Sequence, residues 1–210
     1  MSQFGPLEAL RSATAHGHRQ LEAVPSSVRL LSDDYRMSEY RELLQRLYGL
    51  YEPLATAMSA GEPAGIWSGR VAARAEALRR DLFDLGVGAE DLERIARCAA
   101  LPDLQTADDV LGCAYVLEGS NLGGRVIHKH LCGVFAGEPV LPLRFFAGDG
   151  TQTAAQWRTF CAAVDAQTTN VEELCRAACV TFEAVHDWLE QRAPAAAAAQ
   201  PRKPVTLPRR

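Results

Sequence analysis

Glu118-Gly119-Ser120-Asn121-Leu122-Gly123-Gly124 lies near the middle of a 210-residue chain, inside what otherwise reads as one long helix. Apolar residues lead in through Val110, Leu111, Ala114, Tyr115 and Leu117, and lead out through Val126, Ile127 and Leu131. Thr106, followed three residues later by Asp109, supplies a helix start ahead of them. A glycine inside a helix costs about 1 kcal/mol relative to alanine, so Gly119, Gly123 and Gly124 together cost about 3 kcal/mol. Such a segment persists where the backbone itself must come close to something: another helix, or a flat ligand lying against bare peptide.

Working outward, the periodicity is helical almost everywhere. Tyr40, Leu43, Leu44, Leu47, Tyr48, Tyr51 and Leu54 recur at the spacing of a buried helical face, and so do Val171, Leu174, Cys175, Ala178, Phe182, Val185 and Leu189. Asn170, with Glu173 three residues on, caps the second of these runs. Further helices are predicted over 5–24, 68–85, 89–99 and 152–168, with connections at 61–65 and 137–150. No strand pair is evident, since Val140-Leu141-Pro142-Leu143 is short and broken by proline. The fold class is all-α, in one domain over 1–193. From Pro194 to Arg210 the chain turns rich in alanine, proline and arginine, which reads as a disordered tail.

Composition narrows the function classes. Hydrophobic residues make up 48% and charged residues 23%, the balance of a soluble globular protein. The formal net charge of -4 argues against a general nucleic-acid binder, which needs a basic excess. No apolar stretch approaches the roughly 20 residues that span a bilayer. The N-terminus has neither the basic start nor the apolar core of a signal peptide. Cys98, Cys113, Cys132, Cys161, Cys175 and Cys179 show no CxxC spacing and read as reduced, packed thiols. The expectation is a cytoplasmic protein.

Near the N-terminus, helical spacing puts Arg11, His18 and Glu22 along one side of a helix. A neutral imidazole binds a metal through one ring nitrogen while the other donates to a carboxylate, which orients the ring. Glu22, one turn after His18, stands where that carboxylate is needed, and Arg11 suits an anionic group of a ligand. The same row is also what an exposed polar pair on a helix looks like, and spacing alone does not choose between the two. His16 has no such row.

Taken together, two segments carry a resemblance. Leu10-Arg11-x-Ala13-Thr14-x-x-x-His18-x-x-Leu21-Glu22, followed by Tyr115-Val116-Leu117-Glu118-Gly119-Ser120-Asn121-Leu122-Gly123-Gly124, resembles bacterial biliverdin-forming heme oxygenases in spacing and order. Trp157-x-x-Phe160 and Ala177-Ala178-x-x-x-Phe182 add to it, and the likeness runs over 7–192, weakest over 61–105. It implies a helical bundle that clamps heme between a proximal helix and a glycine-kinked distal helix. By that resemblance His18 is the axial ligand to the heme iron and Glu22 its outer partner. Gly119, Ser120 and Gly123 become the distal groups that place O2 and water, with Gly124 also against the porphyrin. Arg11, Tyr115 and Arg158 are the candidates for the two propionates. His128, Lys129 and His130 read mainly as a solvated face, and Phe160 and Phe182 as core.

The implied chemistry is oxidative opening of heme to biliverdin, carbon monoxide and ferrous iron. Heme is substrate and cofactor together, O2 is co-substrate, and electrons come from a ferredoxin or a flavin reductase. A phytochrome is a candidate recipient of the biliverdin. Where some animal relatives carry an aspartate, this chain has Ser120, so water held by that hydroxyl and by the backbone takes over proton delivery. Two other classes compete: a heme carrier without turnover, and a di-iron oxidase on a related scaffold. The latter needs several inward carboxylates and paired histidine motifs, and the chain has a single Glu-x-x-His, Glu183 to His186.

Overall fold

A computed structural model describes residues 5–62 and 64–190. The predicted disordered tail at 194–210 lies outside the described residues. Among these, every regular element is helical: α1 (Pro6–Ala23), α2 (Pro25–Arg29), α3 (Met37–Gly61), α4 (Ile66–Asp84), α5 (Ala89–Arg94), α6 (Ala107–Val134), α7 (Arg144–Ala147), α8 (Thr153–Gln167) and α9 (Val171–Glu190), with a 3-10 turn at Gly150–Gln152. No helix among them is long and apolar enough to cross a membrane.

The two predicted caps form. Thr106 accepts from the Asp109 amide at 3.1 Å while the Asp109 carboxylate accepts from the Thr106 amide at 3.1 Å, closing a capping box at the start of α6. Asn170 accepts from the Glu173 amide at 3.2 Å at the start of α9. The carboxylate of Asp108 adds what local patterns do not predict, accepting from the amides of Thr169 and Asn170 and so joining the starts of α6 and α9.

Helix α9 is the hub. Both α1 and α6 pack along it, whereas α1 and α6 make little contact with each other. Close approach at these seams is set by glycine. A Cβ at Gly112 of α6 would overlap the Leu174 carbonyl of α9, and one at Gly17 of α1 would come within 2.9 Å of the Phe182 Cβ. Behind α6, α3 and α4 pair with one another, and Pro53 shows how the chain after α5 is seated against α3. Lacking an N–H, Pro53 leaves the Gly49 carbonyl without its helical partner, and the Cys98 amide fills the vacancy at 2.9 Å.

Two helices, α2 and α7, appear where the sequence pattern predicts none. Helix α7 falls inside the stretch read as a connection. Its first amides, on Arg144 and Phe145, donate to the carboxylate of Asp81 at 3.1 and 2.9 Å, so a residue of α4 caps it from across the fold. Helix α5 stops at Arg94, earlier than the predicted 99. The core gathers Leu10, Tyr40, Leu44, Leu78, Leu82, Phe160 and Leu174, all fully buried. All six cysteines are free, and Cys98 and Cys113 are buried; burial pushes the Cys113 thiol up to about 12.

Candidate functional site

Helices α1 and α6 flank α9 with little contact between them. Helix α6 is α-helical throughout, glycines included. What distinguishes Gly119, Gly123 and Gly124 from the packing glycines is the space beside them. A Cβ at Gly123 would meet nothing within 4 Å, one at Gly119 would touch the Trp157 ring at 3.7 Å, and one at Gly124 would touch the Phe146 carbonyl at 3.5 Å. All three are ordinary or open contacts. Nothing in the protein's own packing demands glycine there, yet each lowers helix stability.

On the other side, His18 projects from α1 with its side chain 63% exposed, its ring centroid 6.0 Å from that of Phe182 on α9. Its Nδ1 lies 3.4 Å from Oε1 of Glu22 one turn on, which leaves Nε2 free. The His18–Glu22 part of the predicted row thus forms, and no partner for the other ring nitrogen is present among the described residues. Phe182 is buried, as a core residue should be, but it also sets the ring that backs His18. Phe160 is fully buried.

Between these helices opens a cavity of about 160 Å³, bounded by Leu21 of α1, by Ser120, Gly124 and Ile127 of α6, and by Val185 of α9. Its far wall is Tyr51 of α3, Arg74 of α4, and Phe145 and Phe146 of α7. The Ser120 hydroxyl donates to the Leu117 carbonyl at 2.7 Å, and its oxygen stands 3.4 Å from the Tyr51 hydroxyl. A hollow of this size takes a guest of about benzene dimensions. Of the predicted site residues only Ser120 and Gly124 line it; His18, Gly119 and Gly123 do not. A second hollow, of about 260 Å³, runs between α3 and α4 over Tyr48, Glu52 and Arg79, with neither glycine nor histidine in its wall.

The remaining predicted residues divide. Tyr115 stands with its ring 5.8 Å from that of Trp157, beside Gly119. Arg11 is exposed on α1, close enough to Cys161 of α8 for its charge to act against the upward shift that burial gives that thiol. Arg158 is exposed one turn earlier on α8, and α1 and α8 are in contact. The structure thus brings Arg11 and Arg158 to neighbouring helices at the Trp157 end. His128 and His130, read as a solvated face, are half-buried; His130 Nε2 lies 3.3 Å from the Ser32 carbonyl, joining α6 to the segment after α2. Lys129 is exposed.

What the sequence reading missed is the support. Arg70 of α4 donates twice to buried Glu118, at 2.8 Å each, and once to Asp149 at 2.7 Å. This fixes α6 at the residue before Gly119. Its signal in the sequence was only a carboxylate inside an apolar run. Tyr51, Arg74, Phe145 and Phe146 come from three separate helices, and no spacing rule connects them.

Comparison with known proteins follows the same outline. The family model described as heme oxygenase matches residues 6–191. The solved structure of heme oxygenase from Leptospira interrogans superposes with a TM-score of 0.71 at 15% sequence identity, covering 90% of this chain and 100% of that one. At that identity the likeness is one of fold. Comparison with the curated proteins gives no match.

Proposed function

Because the chain belongs to the heme oxygenase family, we propose that it opens the heme ring with O2 and electrons from an external donor, releasing biliverdin, carbon monoxide and ferrous iron. The observation that carries this reading is the set of glycines at 119, 123 and 124, where an added Cβ would meet an ordinary contact or none. A flat substrate laid on bare helix backbone accounts for all three. The donor set fits as well: an exposed imidazole with Nε2 free stands on the helix across the opening.

Heme supplies the redox-active iron and the ring that is opened; the protein's residues do the placing. His18 would hold the iron through Nε2, with Glu22, facing Nδ1, fixing the imidazole orientation and raising its basicity. Gly119, Gly123 and Gly124 let the backbone of α6 approach the other face. The Ser120 proton is committed to the Leu117 carbonyl, so Ser120 Oγ acts as an acceptor. Tyr51, 3.4 Å away, is the hydroxyl that holds a mobile proton at this end. Arg11, Tyr115 and Arg158 receive the propionates at the Trp157 end. Leu21, Phe145 and Phe146 give the hollow apolar walls. The electron donor is a ferredoxin or a flavin reductase, with a phytochrome as a recipient of the product.

The test is an absorbance time course with one equivalent of hemin, ascorbate, air and catalase. Loss of the Soret band with growth of a broad red biliverdin absorbance is the expected result. A Soret band that persists with ascorbate and also with a reductase system would make the chain a heme carrier. A di-iron centre would need inward carboxylates and histidines. Glu183 is exposed, and His186 faces Asp187 at 3.3 Å and Glu190 at 3.7 Å on its own helix.

A further inference from the structure

Four buried side-chain atoms among the described residues lack a hydrogen-bond partner, and two of them, Arg74 Nε and Ser26 Oγ, belong to residues of the same cavity wall. They belong to different helices, α4 and α2, so no single local irregularity explains both. Arg74 is also a cation without a carboxylate. Arg70, one turn earlier, is paired with Glu118 and Asp149, and Arg144 with Asp81 and Asp84, but no acid among the described residues pairs with Arg74. Its guanidinium lies 4.1 Å above the Phe145 ring and 6.0 Å from the Tyr51 ring. Stacking on those faces holds the plane of the group but satisfies none of its N–H donors, which lie in that plane.

The other polar atoms in the wall strengthen the imbalance. Ser120 has already spent its proton, and the Tyr51 hydroxyl is at the long distance of 3.4 Å from it, so the Tyr51 proton is available to a guest. Arg74 and Tyr51 therefore offer donors around a hollow whose other walls are mostly leucine, valine, isoleucine and phenylalanine, with Ser26, Ser27, Ser120 and Gly124 among them. A hollow of about 160 Å³ takes an apolar group of about benzene size. Here the positive charge at one end demands a negative group on that guest.

We propose that this cavity is a binding site for a small carboxylate, held by the guanidinium of Arg74 with the hydroxyl of Tyr51 as a further donor and its apolar tail on Phe145 and the leucines. Two sources carry that chemistry: a free short-chain carboxylic acid, or a carboxylate arm of a larger ligand such as the substrate. The site is a property of the chain without heme, so it stands or falls separately from the ring-opening activity.

The experiment uses the heme-free protein labelled with 15N, and follows the arginine Nε–Hε resonances as butyrate is added to about 50 mM, which covers millimolar affinity. The Arg74 resonance is identified by its loss in Arg74→Lys. The expected result is a saturating shift of that resonance, stronger for butyrate than for formate because of the apolar walls, with the Arg46 resonance unmoved. Arg74→Met and Tyr51→Phe, each checked for a native melting transition, should weaken butyrate binding by about tenfold or more. Hemin and its dimethyl ester then separate the sources. If hemin displaces butyrate and the ester does not, the site takes the substrate's own carboxylate; if both bind alongside butyrate, it takes a free acid. No saturating shift of the Arg74 resonance, together with equal hemin-to-ester affinity ratios in wild type and Arg74→Met, would overturn the proposal.

Discussion

His18 sits on a helix face that water reaches, with its Nδ1 toward Glu22 and nothing but the edge of Phe182 behind it. A side chain so placed contributes little to folding, so His18→Ala should change stability by no more than about 0.5 kcal/mol. Its effect belongs to the ligand: the hemin complex should lose the iron–histidine stretch in resonance Raman spectra and bind more weakly. An unchanged spectrum would remove His18 from the iron. Arg11→Glu, on the same face, should weaken hemin but not its dimethyl ester, and equal weakening of both would count against a propionate contact. These residues were readable in advance because an i, i+4 pair is a local fact, set by helix geometry alone. Arg74 and Tyr51 were not, since their significance lies in meeting Ser120 and Phe145 from other helices, and single-sequence spacing holds no record of that.

At the scale of the element, α6 contains two kinds of glycine that look identical in sequence. Gly112 is pressed against the Leu174 backbone, whereas Gly123 faces open space. Gly112→Ala should therefore destabilise the protein by roughly 1–3 kcal/mol through overpacking. Gly123→Ala should instead stabilise the heme-free protein by up to about 1 kcal/mol by helix propensity, while weakening hemin binding and slowing ring opening. Denaturant midpoints on the two variants, set beside hemin titrations, separate these cases; a destabilised Gly123→Ala would mean the glycine serves packing after all. The same helix depends on Arg70. With Glu118 only 6% exposed, Arg70→Met strands a buried carboxylate and should cost roughly 3–5 kcal/mol in urea unfolding. Long helices such as α3, α6 and α9 were legible because their apolar periodicity runs for many turns, and the Thr106 and Asn170 caps because their partners lie three residues away. Helices α2 and α7 were not legible. Five and four residues are too few to show a period, and α7 owes its start to Asp81, 63 residues upstream of Arg144.

Over the whole molecule, the acidic groups respond to pH in two opposed sets. Hydrogen bonds from Arg29 hold Asp34 and Glu39 down to about 2, and those from Arg79 and Arg80 do the same for Glu76. A depressed carboxylate contributes stability above its unfolded value, near 4, and loses it as the pH falls toward 2. Asp81 runs the other way. Burial raises its pKa despite the amides of Arg144 and Phe145 and the Arg144 guanidinium. A raised carboxylate weakens the fold as the pH climbs from about 4 through its folded value. The melting temperature should therefore rise slightly as the pH drops from neutrality toward 4, and then fall steeply below it. Arg29→Met should flatten the acid limb by releasing Asp34 and Glu39 together, and Asp81→Asn should remove the slope above pH 4 while lowering the whole curve, since one amide oxygen cannot replace a carboxylate that caps α7 twice. Melting curves across pH 2–7 on these two variants test both halves. If Arg29→Met left the acid limb as steep as before, the cluster joining α2 to α3 would have no part in acid stability.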